Sequence, residues 1–432
     1  MKRVAISTLG CKTNQFESAA MTEQLQAAGY QIVPFTEPSD IYIINSCTVT
    51  ARTDAETRRL IRRARRMNPD SRIIATGCYA QVAPGDLEKM PELDCILGNQ
   101  EKQDIATLLE SSPNSVSDIA AISRAEQLKL TSFAEHTRAF LQIQNGCNSF
   151  CSYCIVPYAR GRSRSVTTED ILQGIRDLAA NGFKEIVLTG IHLGAYGLEL
   201  PSPTSLTSLV RRIDAEAIVP RLRIGSVEPN EVSEELLELM ATSEMICPHL
   251  HLPLQSGSDS VLKRMGRHYT ADFFRKLIGK ISAAMPDAFI GADVIAGFPG
   301  ETEEEFEETV RLLEELPFSD LHVFPYSRRP GTKAADMPGH LPAHVITERA
   351  ARLRSIAAAK KTYFLERCIG KELNVLVQGY NEKSGKCRGL SRTYVAVSFP
   401  GDITQVNMEV NVIINECTKD GCHGVANRTN RT

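Results

Sequence analysis

Cys147, Cys151 and Cys154 are spaced C-x-x-x-C-x-x-C within Asn145 to Gly161, NGCNSFCSYCIVPYARG. Three soft thiolates in one short loop can grip a single metal centre and leave its fourth position without a local ligand. Structural zinc wants a closed set of four ligands. The next cysteine is Cys247, and the nearest upstream histidine, His136, precedes the strand that leads into the loop. A cubane iron–sulfur cluster with one open iron fits the spacing better. Zinc with a distant fourth ligand, a disulfide framework and an indifferent group of reduced cysteines stay open as alternatives.

A second set is scattered along the first eighty residues. Cys11, Cys47 and Cys78 each come just after a strand-like run. In an open parallel sheet the carboxyl ends of the strands share one edge, where ligands bind. The three thiols would converge there as a second metal site, although unrelated small residues in turns would show the same placement. Cys95, inside an apolar run, reads as a core residue. Cys417 and Cys422 lie in a tail too weakly patterned to make them ligands.

The elements that must carry these loops follow from periodicity. Strand, helix and strand alternate through Lys2–Thr8, Gln15–Ala28, Ile41–Ile44, Ala51–Met67 and Arg72–Ala75, predicting an open parallel α/β domain over residues 1–125. Residues near 101 to 132, broken by Ser111-Ser112-Pro113-Asn114-Ser115, read as a linker. Six further strand–helix units begin at Phe140–Ile143, with strands expected at Glu185–Leu188, Leu222–Gly225, His249–Leu252, Phe289–Ile295 and Leu321–Phe324. They predict a partial (β/α)6 barrel over 133–366, with chemistry on the loops at the carboxyl ends of its strands. Thr189-Gly190-Ile191, Ser226-Val227-Glu228-Pro229, Pro253 to Ser258 and Gly297 to Glu301 are such loops, each mixing small and polar residues as a pocket would. His249 and His251 read as structural or pocket-lining. Short β-type runs over 367–432 predict a small C-terminal β-barrel.

The chain has 432 residues, 12 cysteines and a net charge of −3. It has no apolar run long enough to span a bilayer, and its start lacks an apolar signal region. The expectation is a cytoplasmic protein with no membrane partner, some of whose cysteines serve metal or redox chemistry. Without a global basic excess, a nucleic-acid partner needs a local patch. Helix Ala51–Met67 offers one, with Arg58, Arg62 and Arg66 opposite its apolar side. Arg388, Arg392 and Tyr394 offer another in the C-terminal barrel. A solvated face and a mere capping domain fit the same residues.

With Tyr153 before its last cysteine, the Cys147–Cys154 motif resembles the signature of radical S-adenosylmethionine enzymes. Leu9-Gly10-Cys11-Lys12-Thr13-Asn14-Gln15, Asn45-Ser46-Cys47-Thr48-Val49 and Thr76-Gly77-Cys78-Tyr79-Ala80 resemble the cysteine motifs of the methylthiotransferase branch. His249 to Ser258 and Asp293 to Glu301 resemble it as well, and the C-terminal barrel resembles the RNA-binding TRAM domain. The resemblance implies two [4Fe–4S] clusters, on Cys11, Cys47 and Cys78 and on Cys147, Cys151 and Cys154. It places S-adenosylmethionine near Tyr153, Gly190, Ser226, Gln255, Asp293 and Gly297. Leu188-Thr189-Gly190 departs from the Gly-Gly-Glu of many radical enzymes at this point, so the contact to the methionyl amino group is not carried over.

The implied reaction methylates a sulfur at the first cluster, makes a 5'-deoxyadenosyl radical at the second, and delivers methylthio to C2 of an adenosine. The implied partners are a tRNA and a flavodoxin- or ferredoxin-type electron donor; the sulfur donor is unknown. The opening Thr8 to Gln15 most resembles the branch acting on threonylcarbamoyladenosine of tRNA. The other branches act on isopentenyladenosine of tRNA or on a ribosomal-protein aspartate. A non-catalytic iron–sulfur RNA-binding protein is the alternative of another class.

Overall fold

The computed structural model describes all residues except 112–113, 126–127, 129, 131–136 and 428–432. His136 and part of the expected linker break therefore lie outside the described residues. The N-terminal domain is a five-stranded parallel sheet in the order Gln31–Ile32, Arg3–Thr8, Ile41–Ser46, Arg72–Gly77, Cys95–Ile96. Its strands alternate between two cores. Tyr42, Ile44, Ile73 and Ala75 pack under Leu60, Ile61 and Ala64 of helix Ala51–Met67. Ile41, Ile43 and Ile74 face Met21 and Leu25 of helix Lys12–Ala27 on the other side. That helix carries two apolar stripes, each of i, i+4 pairs. Met21 and Leu25 belong to its own domain, whereas Phe16 and Ala20 are buried in the core of the next one.

Six parallel strands form the middle domain as two sheets of three: Arg138–Gln142, Glu185–Thr189 and Arg221–Ile224, then His249–Gln255, Phe289–Ala296 and Asp320–Pro325. Single bridges, Leu222 to Ile246 and Ser226 to His251, link the two. Alternate residues such as Leu222, Leu250, Ala292 and Leu321 join the helix-side core. Strand geometry sends the intervening Arg223, His251, Asp293 and His322 into the barrel. Helix Lys12–Ala27 packs beside Arg138–Gln142, the edge strand. Among the described residues, no helix is long and apolar enough to cross a membrane.

The C-terminal domain is a closed barrel of Glu372–Asn381, Lys386–Ser391, Ala396–Pro400, Gly421–Ala426 and Glu409–Thr418. Its closing strand, GCHGVA, was expected to be tail. Two glycines hide its pattern, and it is held by pairing with Glu409–Thr418 and Ala396–Pro400. Cys417 and Cys422, also assigned to the tail, face each other across this hairpin as a disulfide.

The barrel is seated by charge. Glu185 is buried and accepts from Arg221 at 2.9 Å, Arg223 at 2.8 Å and Arg138 at 3.2 Å. The two inner arginines reach on to the carbonyls of Leu390, Ser391 and Arg392. Burial would raise the Glu185 carboxyl, but Arg223 and its neighbours outweigh it and hold it at about 2. Replacing Glu185 with alanine leaves buried guanidinium groups unpaired and is expected to cost about 3–5 kcal/mol, read as a lower melting temperature. Because the folded-state pKa is depressed, this stabilisation is complete above the ordinary glutamate range. It is lost as pH falls towards 2, and the variant should lack that component.

Two residues expected at an RNA surface belong to this junction instead. Arg392 is held by Glu409 at 3.0 Å and by the Glu244 and Pro220 carbonyls. The Tyr394 ring lies 4.6 Å from His249 and 5.0 Å from the Arg223 guanidinium. Sequence shows an exposed-looking Arg and Tyr in a turn but not the domain that covers them.

Candidate active site

The loop after strand Arg138–Gln142 is pinned at several points. Gly146 has φ +73, and a Cβ there would lie 1.9 Å from the Arg162 carbonyl, so the turn admits only glycine. Cys147 N–H donates to the Gly161 carbonyl at 3.0 Å, Cys154 N–H to Cys151 at 2.9 Å and Ser152 N–H to Met265 at 2.8 Å. The three thiols are free and half-buried. Burial alone would raise Cys147, but hydrogen bonds from His192 and Ser149 bring it below its ordinary value. Burial pushes Cys154 up to about 12. Arg267 stands 3.4 Å from the Cys151 sulfur and is paired with Glu228. His192 lies 3.5 Å from the Cys147 sulfur and 2.7 Å from Glu231.

The second cysteine set also converges. Cys11 caps helix Lys12–Ala27, and Cys47 and Cys78 follow Ile41–Ser46 and Arg72–Gly77. At Gly10, φ is +95 and a Cβ would meet the Cys47 sulfur at 2.8 Å. Burial pushes Cys47 up to about 12, and Cys78 and Cys11 add to it. Thiols gathered at one sheet edge give up their protons when a cation neutralises them, which fits a metal or iron–sulfur centre. Three donors in each set match a cubane with one iron left to another ligand.

Arg160 ties the sets together. It ends the short helix Val156–Arg160 after the first loop, and its Nε donates to Cys78 at 3.2 Å. Its other nitrogens reach Glu17 and Asn14, and Glu17 also takes Lys102 at 2.5 Å. Asn99 crosses to the Ala159 carbonyl at 2.7 Å. Arg329 bonds Asp54 at 2.5 Å and Thr48 at 2.8 Å, joining the segment after the last barrel strand to the segment after Cys47. Sequence reading missed Arg160, His192 and Arg267 as site residues. Arg160 lay inside the stretch first singled out, but its partners are contributed by distant segments.

Between Cys154 and the segment that follows Cys47 opens a cleft of about 180 Å³. Val49 and Thr50 form one wall, just after Cys47; Tyr153 and Cys154 form another; Gln255, Asp293 and Phe324 line the barrel side. Gly190, Ser226 and Gly297 are not among its lining residues. Gly190 packs against Leu193 and Gln144, Ser226 bridges to His251, and Gly297 abuts Ile346. Asp293 accepts from His251 at 2.9 Å and His322 at 3.1 Å. Burial opposes this, but the two imidazoles hold its carboxyl well below the ordinary value.

On the arginine helix, Arg62 and Arg66 are exposed, whereas Arg58 bonds the Tyr79 hydroxyl at 2.6 Å and is half-buried. Arg388 is exposed on the C-terminal barrel.

Residues 141–313 match the Radical SAM superfamily model, and residues 3–98 match a model described as Uncharacterized protein family UPF0004. The chain is 39% identical to the threonylcarbamoyladenosine tRNA methylthiotransferase MtaB of Bacillus subtilis (strain 168), over 96% of this chain and 94% of that one. It is 35% identical to the tRNA-2-methylthio-N(6)-dimethylallyladenosine synthase of Caldicellulosiruptor saccharolyticus, over 98% and 92%. In fold it is similar to the radical S-adenosylmethionine methyltransferase TsrM of Kitasatospora setae. The TM-score is 0.55, at 16% identity, over 78% of this chain and 75% of that one. The cofactors that go with this kinship are S-adenosylmethionine and [4Fe–4S] clusters. The chain is an enzyme and belongs to the radical S-adenosylmethionine methylthiotransferase family.

Proposed function

We propose that this enzyme adds a methylthio group to C2 of N6-threonylcarbamoyladenosine in tRNA, next to the anticodon at position 37, in the cytoplasm. The observation that carries the reading is the cleft bounded by Cys154 on one side and by the segment after Cys47 on the other. Kinship at 39% identity to an enzyme named for that nucleoside supports the substrate.

Cys147, Cys151 and Cys154 would hold the radical-generating cluster, and Cys11, Cys47 and Cys78 the auxiliary one. When bound, the two clusters and S-adenosylmethionine supply the radical and the methylthio group, which an unreactive aromatic C–H requires. The chain's own residues position and shield. Tyr153, Gln255 and Asp293 line the space for S-adenosylmethionine, with Gly190, Ser226 and Gly297 behind it in the supporting turns. Arg160 fixes the separation of the cysteine sets. His192 and Arg267 place hydrogen bonds and positive charge beside the thiolates. Arg62, Arg66 and Arg388, with Arg58 at the margin, present guanidinium groups to tRNA phosphates. A flavodoxin- or ferredoxin-type protein supplies the electron.

Nucleoside mass spectrometry of tRNA from a deletion strain tests the substrate. The expected result is loss of the 2-methylthio group from threonylcarbamoyladenosine with the parent nucleoside retained. Loss from isopentenyladenosine instead would move the enzyme to the second relative's activity, and unchanged tRNA would sink both.

A further inference from the structure

Helix Lys12–Ala27 packs beside Arg138–Gln142, an edge strand of the partial barrel, and the Lys12 side chain at its start reaches towards Tyr394 and the inward-facing arginines. Its Nζ stands 5.8 Å from the centroid of Tyr394. Among the described residues no carboxylate pairs with it. The carboxylate within electrostatic reach, Glu185, is already bonded by Arg138, Arg221 and Arg223. The lower interior is therefore rich in cations: Lys12, Arg138, Arg221 and Arg223 against Glu185 and Glu409. One level higher are His251 and His322, with rings 5.0 Å apart and sharing Asp293. The Lys12 charge is felt at His322 and at His249. His322 faces inward yet its side chain is 59% exposed, so the barrel is open to solvent at this level.

A half-buried ammonium without a counter-ion is costly, and anionic ligands answer it. Lys12 directly follows Cys11, so this charge is carried on the same segment as one cysteine of the auxiliary set. Threonylcarbamoyladenosine carries a carboxylate a few bonds beyond N6, on the far side of the base from the sugar. Isopentenyladenosine carries a neutral hydrocarbon there. Resting on the threonylcarbamoyladenosine reading, we propose that Lys12 and His322 form the subsite that holds the carboxylate of the N6 substituent. Lys12 gives the charge, and His322, oriented by Asp293, gives a second N–H donor. A neutral substituent would cover the ammonium without pairing it, so the same group selects for the acid and against the hydrocarbon.

The test compares anticodon stem-loops that differ in charge alone. Anaerobically reconstituted full-length enzyme is titrated, by fluorescence anisotropy, with a threonylcarbamoyladenosine stem-loop and with the same stem-loop carrying the threonyl group as its primary amide. All phosphates are identical, so backbone contacts cancel. The wild type should bind the acid about tenfold more tightly, as one charge-assisted hydrogen bond implies. Lys12→Met should erase that ratio, Lys12→Arg should keep most of it, and His322→Phe should reduce it severalfold. The wild-type ratio needs no variant to fold. Equal binding of acid and amide by the wild type overturns the subsite, even where the deletion strain confirms the nucleoside. A Lys12→Met enzyme that discriminates like the wild type overturns it too.

Discussion

Replacing Cys154 with alanine should reduce 5'-deoxyadenosine formation by reduced enzyme and S-adenosylmethionine to background. The loop has no spare thiol. Its backbone is fixed to Gly161, Met265 and, through the Ser152 carbonyl accepting from Ala334 at 2.7 Å, to the segment after the last barrel strand. It cannot slide to recruit another cysteine, and Cys247 is buried beside Arg223 at the opposite end of its sheet. Two thiolates cannot hold a cubane that needs three. Total iron should fall by about half, since the other set is untouched. Persistent cleavage of S-adenosylmethionine would remove this loop from the reaction and leave a non-catalytic iron–sulfur protein as the better reading.

Alanine at Cys11, Cys47 and Cys78 together should give a complementary outcome. Iron again falls by about half, 5'-deoxyadenosine still forms, and no methylthio product appears. The separation of effects follows from geometry. Arg160 bonds Cys78, but it also keeps Glu17 and Asn14, so the helix carrying it stays in place when the sulfur is lost. Unchanged iron in the triple variant would mean a radical enzyme with a single cluster.

Much of this was legible because it is local. Cluster spacing within Cys147–Cys154 needs no fold, and helix Ala51–Met67 was bounded by its apolar periodicity and by Pro69 beyond it; the structure adds the capping Thr50. Convergence of Cys11, Cys47 and Cys78 followed from one rule about parallel strands. What stayed hidden depends on partners remote in sequence. Gly421–Ala426 is a strand because two neighbours pair with it, not because its residues favour one. Arg392 and Tyr394 carry the composition of an RNA surface, yet Glu409 holds the first and Arg223 and His249 pack on the second at the domain junction. Lys12 stood in the sequence only as a member of the Leu9–Gln15 motif, ahead of a helix expected from Gln15; the cations around it come from strands more than a hundred residues away. The glycine-bearing loops were read as one pocket wall, while the structure gives Gly190 and Gly297 to turn packing and leaves Gln255 and Asp293 on the cleft.

Helix Lys12–Ala27 bears on how the molecule melts. Residues 3–98 and 141–313 match separate family models, as if they were modules that could be exchanged or expressed apart. Phe16 and Ala20 lie in one core and Met21 and Leu25 in the other, so either piece alone would bare a buried apolar stripe. The modules of ancestry are thus not the units of cooperativity. Calorimetry should find the first two domains unfolding in a single transition, and a barrel made without its first hundred residues should aggregate.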